Sequence, residues 1–298
     1  MGRPSPVGAL GRARSVLVTF FELVKFEHTV FALPFAYLGV VLSAEGRPPG
    51  AVVLWVTVAM VGARTTAMAL NRVIDRHIDA RNPRTRSRHI PRGTVSPRVA
   101  WGLAAVFALV FALAAAQLNP LAVKLLPLAL AILTVYPYTK RFTWLSHFVL
   151  GLALACAPAG GWVAVTGRLD WEAVLLASVV VFWVAGFDII YALQDLDFDR
   201  REGLKSIPVR WGMEGALAAA RASHALTVVL LAAVWRLLGL GPVFLAGVAV
   251  IAGLLFYEHA LVRPGDLSRL GVAFFNVNGA VSVLLFIFTL ADLYLAGA

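Results

Sequence analysis

Apolar residues run through this chain in long blocks, with polar residues gathered at the joints between them. A membrane span needs about 20 predominantly apolar residues. Nine blocks of roughly that size stand out, at 29–44, 50–70, 99–118, 120–136, 145–165, 172–194, 214–237, 241–260 and 270–296. The pattern predicts an all-α, polytopic membrane protein of nine transmembrane helices, one domain over residues 1–298. The first block is short. The segment before it, VLVTFFELVKFEH, mixes Glu22, Lys25, Glu27 and His28 with apolar residues and reads as an interfacial lead-in. Residues 1–15 are polar and basic, which predicts a cytoplasmic tail rather than a cleavable signal peptide.

Composition agrees: 60% of the residues are hydrophobic and 14% charged, against about 25% charged in soluble domains. The net charge of +10 is compatible with nucleic acid or with an anionic membrane surface. Its distribution selects the membrane. Arg3, Arg12 and Arg14 precede the first block, and Arg76, Arg81, Arg84, Arg86, Arg88, Arg92 and Arg98 follow the second. Lys140 and Arg141 follow the fourth, Arg200, Arg201, Lys205 and Arg210 the sixth, Arg263 and Arg269 the eighth. The intervening loops hold only Arg47, Arg168 and Arg236. Basic loops alternate with poor ones, as expected for nine spans of an inner (cytoplasmic) membrane with a cytoplasmic N-terminus. No nucleic-acid partner is expected. The single cysteine, Cys156, excludes an intramolecular disulfide and reads as a packing residue.

Six acidic residues fall in two short windows. NRVIDRHIDARNPRT closes the second block and carries Asn71, Asp75 and Asp79 at four-residue spacing, which puts them on one face of a continuous helix. DIIYALQDLDFD closes the sixth and carries Asp188, Asp195, Asp197 and Asp199. Asp195 and Asp199 repeat the spacing, Asp188 lies two turns deeper on the same face, and Asp197 points off it. Acids at a membrane edge are costly to keep there and tend to be functional. Two facing carboxylate clusters would hold hard divalent cations, and such cations grip diphosphates. Asp75 and Asp195 lie 120 positions apart, each ending an even-numbered span. This suggests two four-helix halves around a central cavity, with a ninth helix added.

Other candidates carry two readings each. Tyr136, Lys140 and Arg141 in TVYPYTKR are either interfacial anchors or a grip on diphosphate oxygens, and Lys205 has the same alternatives. Arg84 and Arg88 lie in a loop that either sets topology or lids an anionic substrate. The Tyr191 ring packs ordinarily or lines the same cavity. Lys25 snorkels or pairs with an acceptor carboxylate. The histidines show no zinc-type spacing, and phosphate-binding glycine loops and nucleophile elbows are absent.

Taken in order, NRVIDRHIDARNPRT, YPYTKR and DIIYALQDLDFDRREGLKS resemble the UbiA superfamily of intramembrane aromatic prenyltransferases, over nearly the whole chain. Within it the chain looks similar to the 4-hydroxybenzoate polyprenyltransferases. Its KFEHTVFALPFAY and IDARNPRT segments look more like the futalosine-pathway menaquinone branch, thought to prenylate 1,4-dihydroxy-6-naphthoate. Lys25, Glu27, His28 and Thr29 replace the basic-x-Asp-Lys-Pro pattern of the ubiquinone branch. The resemblance implies Mg²⁺-dependent transfer of a polyprenyl chain from its diphosphate to an aromatic acid in quinone biosynthesis. Asn71, Asp75, Asp79, Asp188, Asp195 and Asp199 would then serve the metal, with Asp75, Asp79, Asp195 and Asp199 at the centre of catalysis. Arg84, Arg88, Lys140, Arg141 and Lys205 would serve the diphosphate, and Lys25, Tyr136 and Tyr191 the acceptor or the allylic cation. Rival readings are a haem farnesyltransferase-type enzyme of the same superfamily and a secondary transporter, though transporters tend to place charges at mid-membrane. A CDP-alcohol enzyme lacks its Asp-Gly-x2-Ala-Arg lead here.

Overall fold

A computed structural model describes residues 29–296, and among them every regular element is helical. The helices are α1 (Thr29–Ser43), α2 (Gly50–Ile74), α3 (Arg76–Arg81), α4 (Pro97–Leu118), α5 (Pro120–Val135) and α6 (Ser146–Thr166). There follow α7 (Trp171–Ala192), α8 (Leu196–Arg201), α9 (Ile207–Leu237), α10 (Pro242–Leu261) and α11 (Asn278–Ala296). Among the described residues eight helices are long and apolar enough to cross a membrane. The shorter apolar α1 stands where the first block predicted a ninth. Short 3₁₀ turns (Tyr136–Arg141, Leu193–Asp195) and a π-helical turn (Val272–Val277) complete the spans that end or begin near them.

Local chemistry sets the helix starts. Ser96, Asn119 and Ser206 each accept a backbone N–H three residues on, and a proline sits in the first turn that follows. Asp292 of α11 caps a different helix: its carboxylate accepts from Gly241 N at 2.6 Å and Phe244 N at 3.0 Å, at the start of α10. The predicted 214–237 span begins just past a break, since Gly212 (φ 70°, ψ −175°) divides Ile207–Trp211 from the rest of α9.

The helices pack as two matching sets. α2 lies along α4 in the first half, and α7 lies along α9 in the second. α1 crosses α6 at their glycines: a Cβ on Gly39 would sit 2.1 Å from the Pro158 carbonyl, and one on Gly161 2.2 Å from that of Ala36. Such close approach is how helices associate where lipid offers no hydrophobic driving force. α11 closes the ring against α1 and α10. The largest cluster of buried apolar residues lies mainly in the second half, around Trp183, Leu176, Ile189 and Phe244. It gives the C-terminal end of α7 a firm seat.

Candidate active site

The two acidic windows sit at two helix breaks of one kind. α2 stops at Ile74, and Asp75 takes φ −88°, ψ 4° before α3 resumes. The 3₁₀ turn after α7 ends at Asp195, with φ −100°, ψ 3°, before α8. Both lie in the sparsely populated bridge region. The expected single continuous face through Asn71, Asp75 and Asp79 is therefore interrupted at Asp75. The freed carbonyls find side-chain donors: Arg76 Nη1 donates to Val73 O at 2.7 Å and Arg141 Nη2 to Ile74 O at 3.0 Å. Guanidinium groups stabilise the kink by satisfying what the helix ladder leaves open.

Three of the carboxylates, Asp75, Asp79 and Asp195, then meet an arginine. Asp75 accepts from Arg141 Nη2 at 2.9 Å and from Asn71 Nδ2 at 3.2 Å. Burial nevertheless pushes its carboxyl up to about 6, with Lys140 and Arg141 pulling against that rise. Asp79 accepts Arg88 Nη1 on both oxygens at 2.8 Å. Asp195 accepts two bonds from the Arg84 fork, Nε at 2.9 Å and Nη2, and a third from Asn82 Nδ2 at 2.9 Å. Asn82 Oδ1 in turn accepts from Arg84 N at 2.9 Å. The arginine-rich loop after α3 is thus clamped across the gap onto the second motif. Asp188 pairs with His147 at 2.7 Å. His147 Nε2 accepts Ile207 N–H, so the ring proton lies on Nδ1 and is donated to Asp188.

A cavity of about 500 Å³ opens between the two motifs. Asn71, Asp75, Asp188, Asp195, Asp199, Arg84, Arg88, Lys140, Tyr136 and Tyr191 all line it. Asp79, Arg141 and Lys205 stand outside its lining. Asp79 is turned to Arg88, and Lys205 Nζ donates to Phe142 O at 3.3 Å while its N–H donates to Lys140 O at 2.7 Å. Asp197 is exposed, as its place off the helix face implied. Lys25 lies outside the described residues.

A second, apolar cavity of about 410 Å³ lies between α2, α4, α5 and α6. Arg64 and Tyr136 line both cavities and mark their junction. Cys156 lines the apolar one.

The donor set suits a hard divalent cation: carboxylate and amide oxygens, without thiolate. Asp199 Oδ1 is buried and lacks a hydrogen-bond partner. Among the described residues no three His, Cys, Asp or Glu side chains converge closely enough to share one ion. Arg84, Arg88 and Arg141 now supply the positive charge that an ion would bring to Asp195, Asp79 and Asp75.

Four contributors escaped the sequence reading. Asn82 and His147 act through partners 113 and 41 positions away, for which sequence holds no signal. Asn278 lines the cavity from the far end of the chain. Arg64 did carry one: an ionisable residue inside a membrane block is a functional candidate by default. Its Nε is buried with no hydrogen-bond partner.

Comparison with known proteins places this geometry. The model of the UbiA prenyltransferase family matches residues 32–288. A 4-hydroxybenzoate octaprenyltransferase of Aromatoleum aromaticum is 33% identical over 251 residues, covering 84% of this chain and 85% of that protein. One from Azotobacter vinelandii is 34% identical over 248 residues, covering 82% and 83%. The apo structure of a UbiA homolog from Aeropyrum pernix K1 superposes with a TM-score of 0.82 at 39% identity, covering 89% of this chain and 98% of that one. A UbiA homolog from Archaeoglobus fulgidus bound to GPP and Mg²⁺ has the same fold, with a TM-score of 0.71 at 21% identity over 93% and 99%.

Proposed function

This chain belongs to the UbiA prenyltransferase family, and from that premise we propose that it transfers a polyprenyl group from an allylic diphosphate to the ring of an aromatic carboxylic acid, with Mg²⁺, at the cytoplasmic face of the cell membrane. The observation that carries the reading is the pair of carboxylate-bearing helix breaks facing one polar cavity, joined to an apolar cavity beside it.

Asn71, Asp75 and Asp79 on one side and Asp188, Asp195 and Asp199 on the other would hold two such ions. Bound there, Mg²⁺ supplies positive charge against the diphosphate as it departs. Arg84, Arg88, Lys140, Arg141 and Lys205 add fixed charge around the same group, and the arginines leave their carboxylates for it. The apolar cavity receives the isoprenoid chain. Tyr136, at the junction, and Tyr191, in the polar cavity, offer ring faces to the allylic cation. The electron-rich ring carbon beside the phenolic hydroxyl attacks, and its proton leaves. Arg64, at the junction with a buried, unpartnered Nε, orients the acceptor's carboxylate. The acceptor is 4-hydroxybenzoate or 1,4-dihydroxy-6-naphthoate, either of which carries that carboxylate.

Membranes containing the chain, given one prenyl diphosphate, Mg²⁺ and each acid in turn, test the reading. The expected result is diphosphate released in step with a prenylated acid. Diphosphate release coupled only to a haem acceptor, or to neither acid, overturns it.

A further inference from the structure

The last membrane helix is entered through the π-helical turn Val272–Val277, directly before Asn278. π-Turns are rare, and they leave backbone carbonyls off the regular ladder. Here a side chain collects them. Asn278 Nδ2 donates to the carbonyls of Ala273 at 3.1 Å and Phe274 at 3.2 Å, and to Glu258 Oε1 at 2.9 Å. Two N–H bonds serve three acceptors, so one is shared. Asn278 Oδ1 accepts the Trp183 indole N–H at 2.8 Å. Asn278 is 2% exposed and Glu258 0%. One amide thus ties α7, α10 and the π-turn together. The amide is bonded through both its nitrogen and its oxygen, which holds one arrangement firmly, while Glu258 Oε2 is buried without a hydrogen-bond partner.

What the amide positions is aromatic. Phe274 stacks on Tyr191 with ring centroids 4.0 Å apart. Phe274 also meets Phe187 edge-on at 5.4 Å, and Phe187 meets Trp183 at 5.0 Å. All four rings line the polar cavity. At the outer end, Tyr191 Oη accepts from Arg84 Nη1 at 3.2 Å, the arginine that holds Asp195. Asn278 secures the row at its inner end, through the Trp183 indole, and at the ring next to its outer end, through the backbone of Phe274.

We propose that Asn278, braced by Glu258, is a positioning residue: it fixes the π-turn and Trp183 so that Trp183, Phe187, Tyr191 and Phe274 form one unbroken wall that keeps water from the allylic cation. This rests on the prenyl-transfer reading above. In that reaction the allylic C–O bond breaks, and its electron pair leaves with diphosphate. The acceptor ring then forms a C–C bond to the cationic carbon with a π pair and loses its ring proton. Water attacking the same carbon forms a C–O bond, loses a proton and yields the free prenyl alcohol. Both outcomes consume one cation, so the ratio of alcohol to prenylated acid reads the wall and is independent of how fast the diphosphate leaves.

The test compares wild type with Asn278→Ala and Phe274→Leu, each purified in detergent and incubated with geranyl diphosphate, Mg²⁺ and a saturating aromatic acid. Phe256→Leu, a ring 78% exposed on the outside of the bundle, is the control. Both wall variants should raise the alcohol-to-product ratio by about tenfold, the change expected from one lost buried hydrogen bond or a comparable packing gap. The control should match wild type. If Asn278→Ala does not fold, Phe274→Leu carries the test, because it removes the stacked ring and leaves the amide network intact. A wild-type ratio in the folded wall variants overturns the proposal while prenyl transfer stands. A wild type that releases no diphosphate with any aromatic acid overturns the transfer reading, and the wall with it.

Discussion

Replacing Arg84 by leucine should move two constants in opposite directions. In the structure Arg84 grips Asp195 with two guanidinium nitrogens, and Asn82 adds a third bond to the same carboxylate. Mg²⁺ at Asp195 must displace that grip. Charge-assisted hydrogen bonds are worth about 1.5–3 kcal/mol when enclosed. The Arg84 side chain is 31% exposed and that of Asp195 13%, so solvent screening keeps the pair near the low end, about 1.5 kcal/mol. Removing it should lower half-saturating Mg²⁺ by about tenfold, since roughly 1.4 kcal/mol is a factor of ten. The diphosphate loses the same guanidinium, so the KM for prenyl diphosphate should rise by about the same factor. The assay is initial diphosphate release, titrated with Mg²⁺ at saturating prenyl diphosphate and then the reverse. Arg84→Lys keeps charge but lacks the planar fork, and should fall between. An unmoved Mg²⁺ midpoint together with an unmoved diphosphate KM would show that Arg84 neither guards the metal site nor serves the substrate.

Asp75→Asn and Asp195→Asn should each cut turnover about a thousandfold while the protein still inserts and folds, because losing one ligand carboxylate removes several kcal/mol of transition-state stabilisation; near-normal rates at saturating Mg²⁺ would refute a two-motif site. Burial holds the Asp75 carboxyl up at about 6, so the proton competes with the ion on the acid side: at limiting Mg²⁺, activity should fall as pH drops through about 6, and excess Mg²⁺ should shift the midpoint lower, a shift whose absence removes Asp75 from the metal site. Arg64→Leu should raise the acceptor's KM about tenfold to a hundredfold through one lost charge-assisted contact and leave that of the prenyl diphosphate nearly unchanged; an unchanged preference for carboxylated phenols would return Arg64 to a packing role. Reporter fusions after Arg98 and at Ala298 should report opposite compartments, as the alternation of basic loops requires; the same compartment for both would break the nine-span topology.

The spans were legible because a lipid solvent tolerates few alternatives: every backbone polar group must be satisfied within its segment, so each long apolar block is a helix. The blocks at 99–118 and 120–136 match α4 and α5 almost residue for residue, since Pro97 and Pro120 mark their first turns. The ends near the site were harder to read. The helical residues Ile207–Trp211 lie before the Gly212 break and, five long with Arg210 among them, are too few to register as an apolar block. The π-turn before α11 is written in a largely apolar string, VAFFNV, and the side chain that collects its carbonyls, Asn278, lies just past it.

For the site, residue types were legible and their connections were not. Spacing of four placed Asn71, Asp75 and Asp79 together on the assumption of an unbroken helix. Nothing in NRVIDRHIDAR forbids one, because no proline or glycine interrupts it. The break at Asp75 comes from outside, where Arg141, from a turn 66 positions on, binds both the Ile74 carbonyl and the Asp75 carboxylate. Even so, Asp75 N still donates to Asn71 O at 3.0 Å and Asp79 N to Asp75 O at 2.8 Å. The four-residue register therefore survives in the backbone while the side chains part company: Asp75 faces the cavity, and Asp79 turns to Arg88. A kink of that kind separates two carboxylates that a straight helix would hold side by side. Asp195 stands at the corresponding break in the other half and is held by an arginine from the opposite loop. Arginines of the first half, Arg84, Arg88 and Arg141, thus hold carboxylates of both acidic motifs, and the cavity between the motifs is lined by both charges before any substrate arrives.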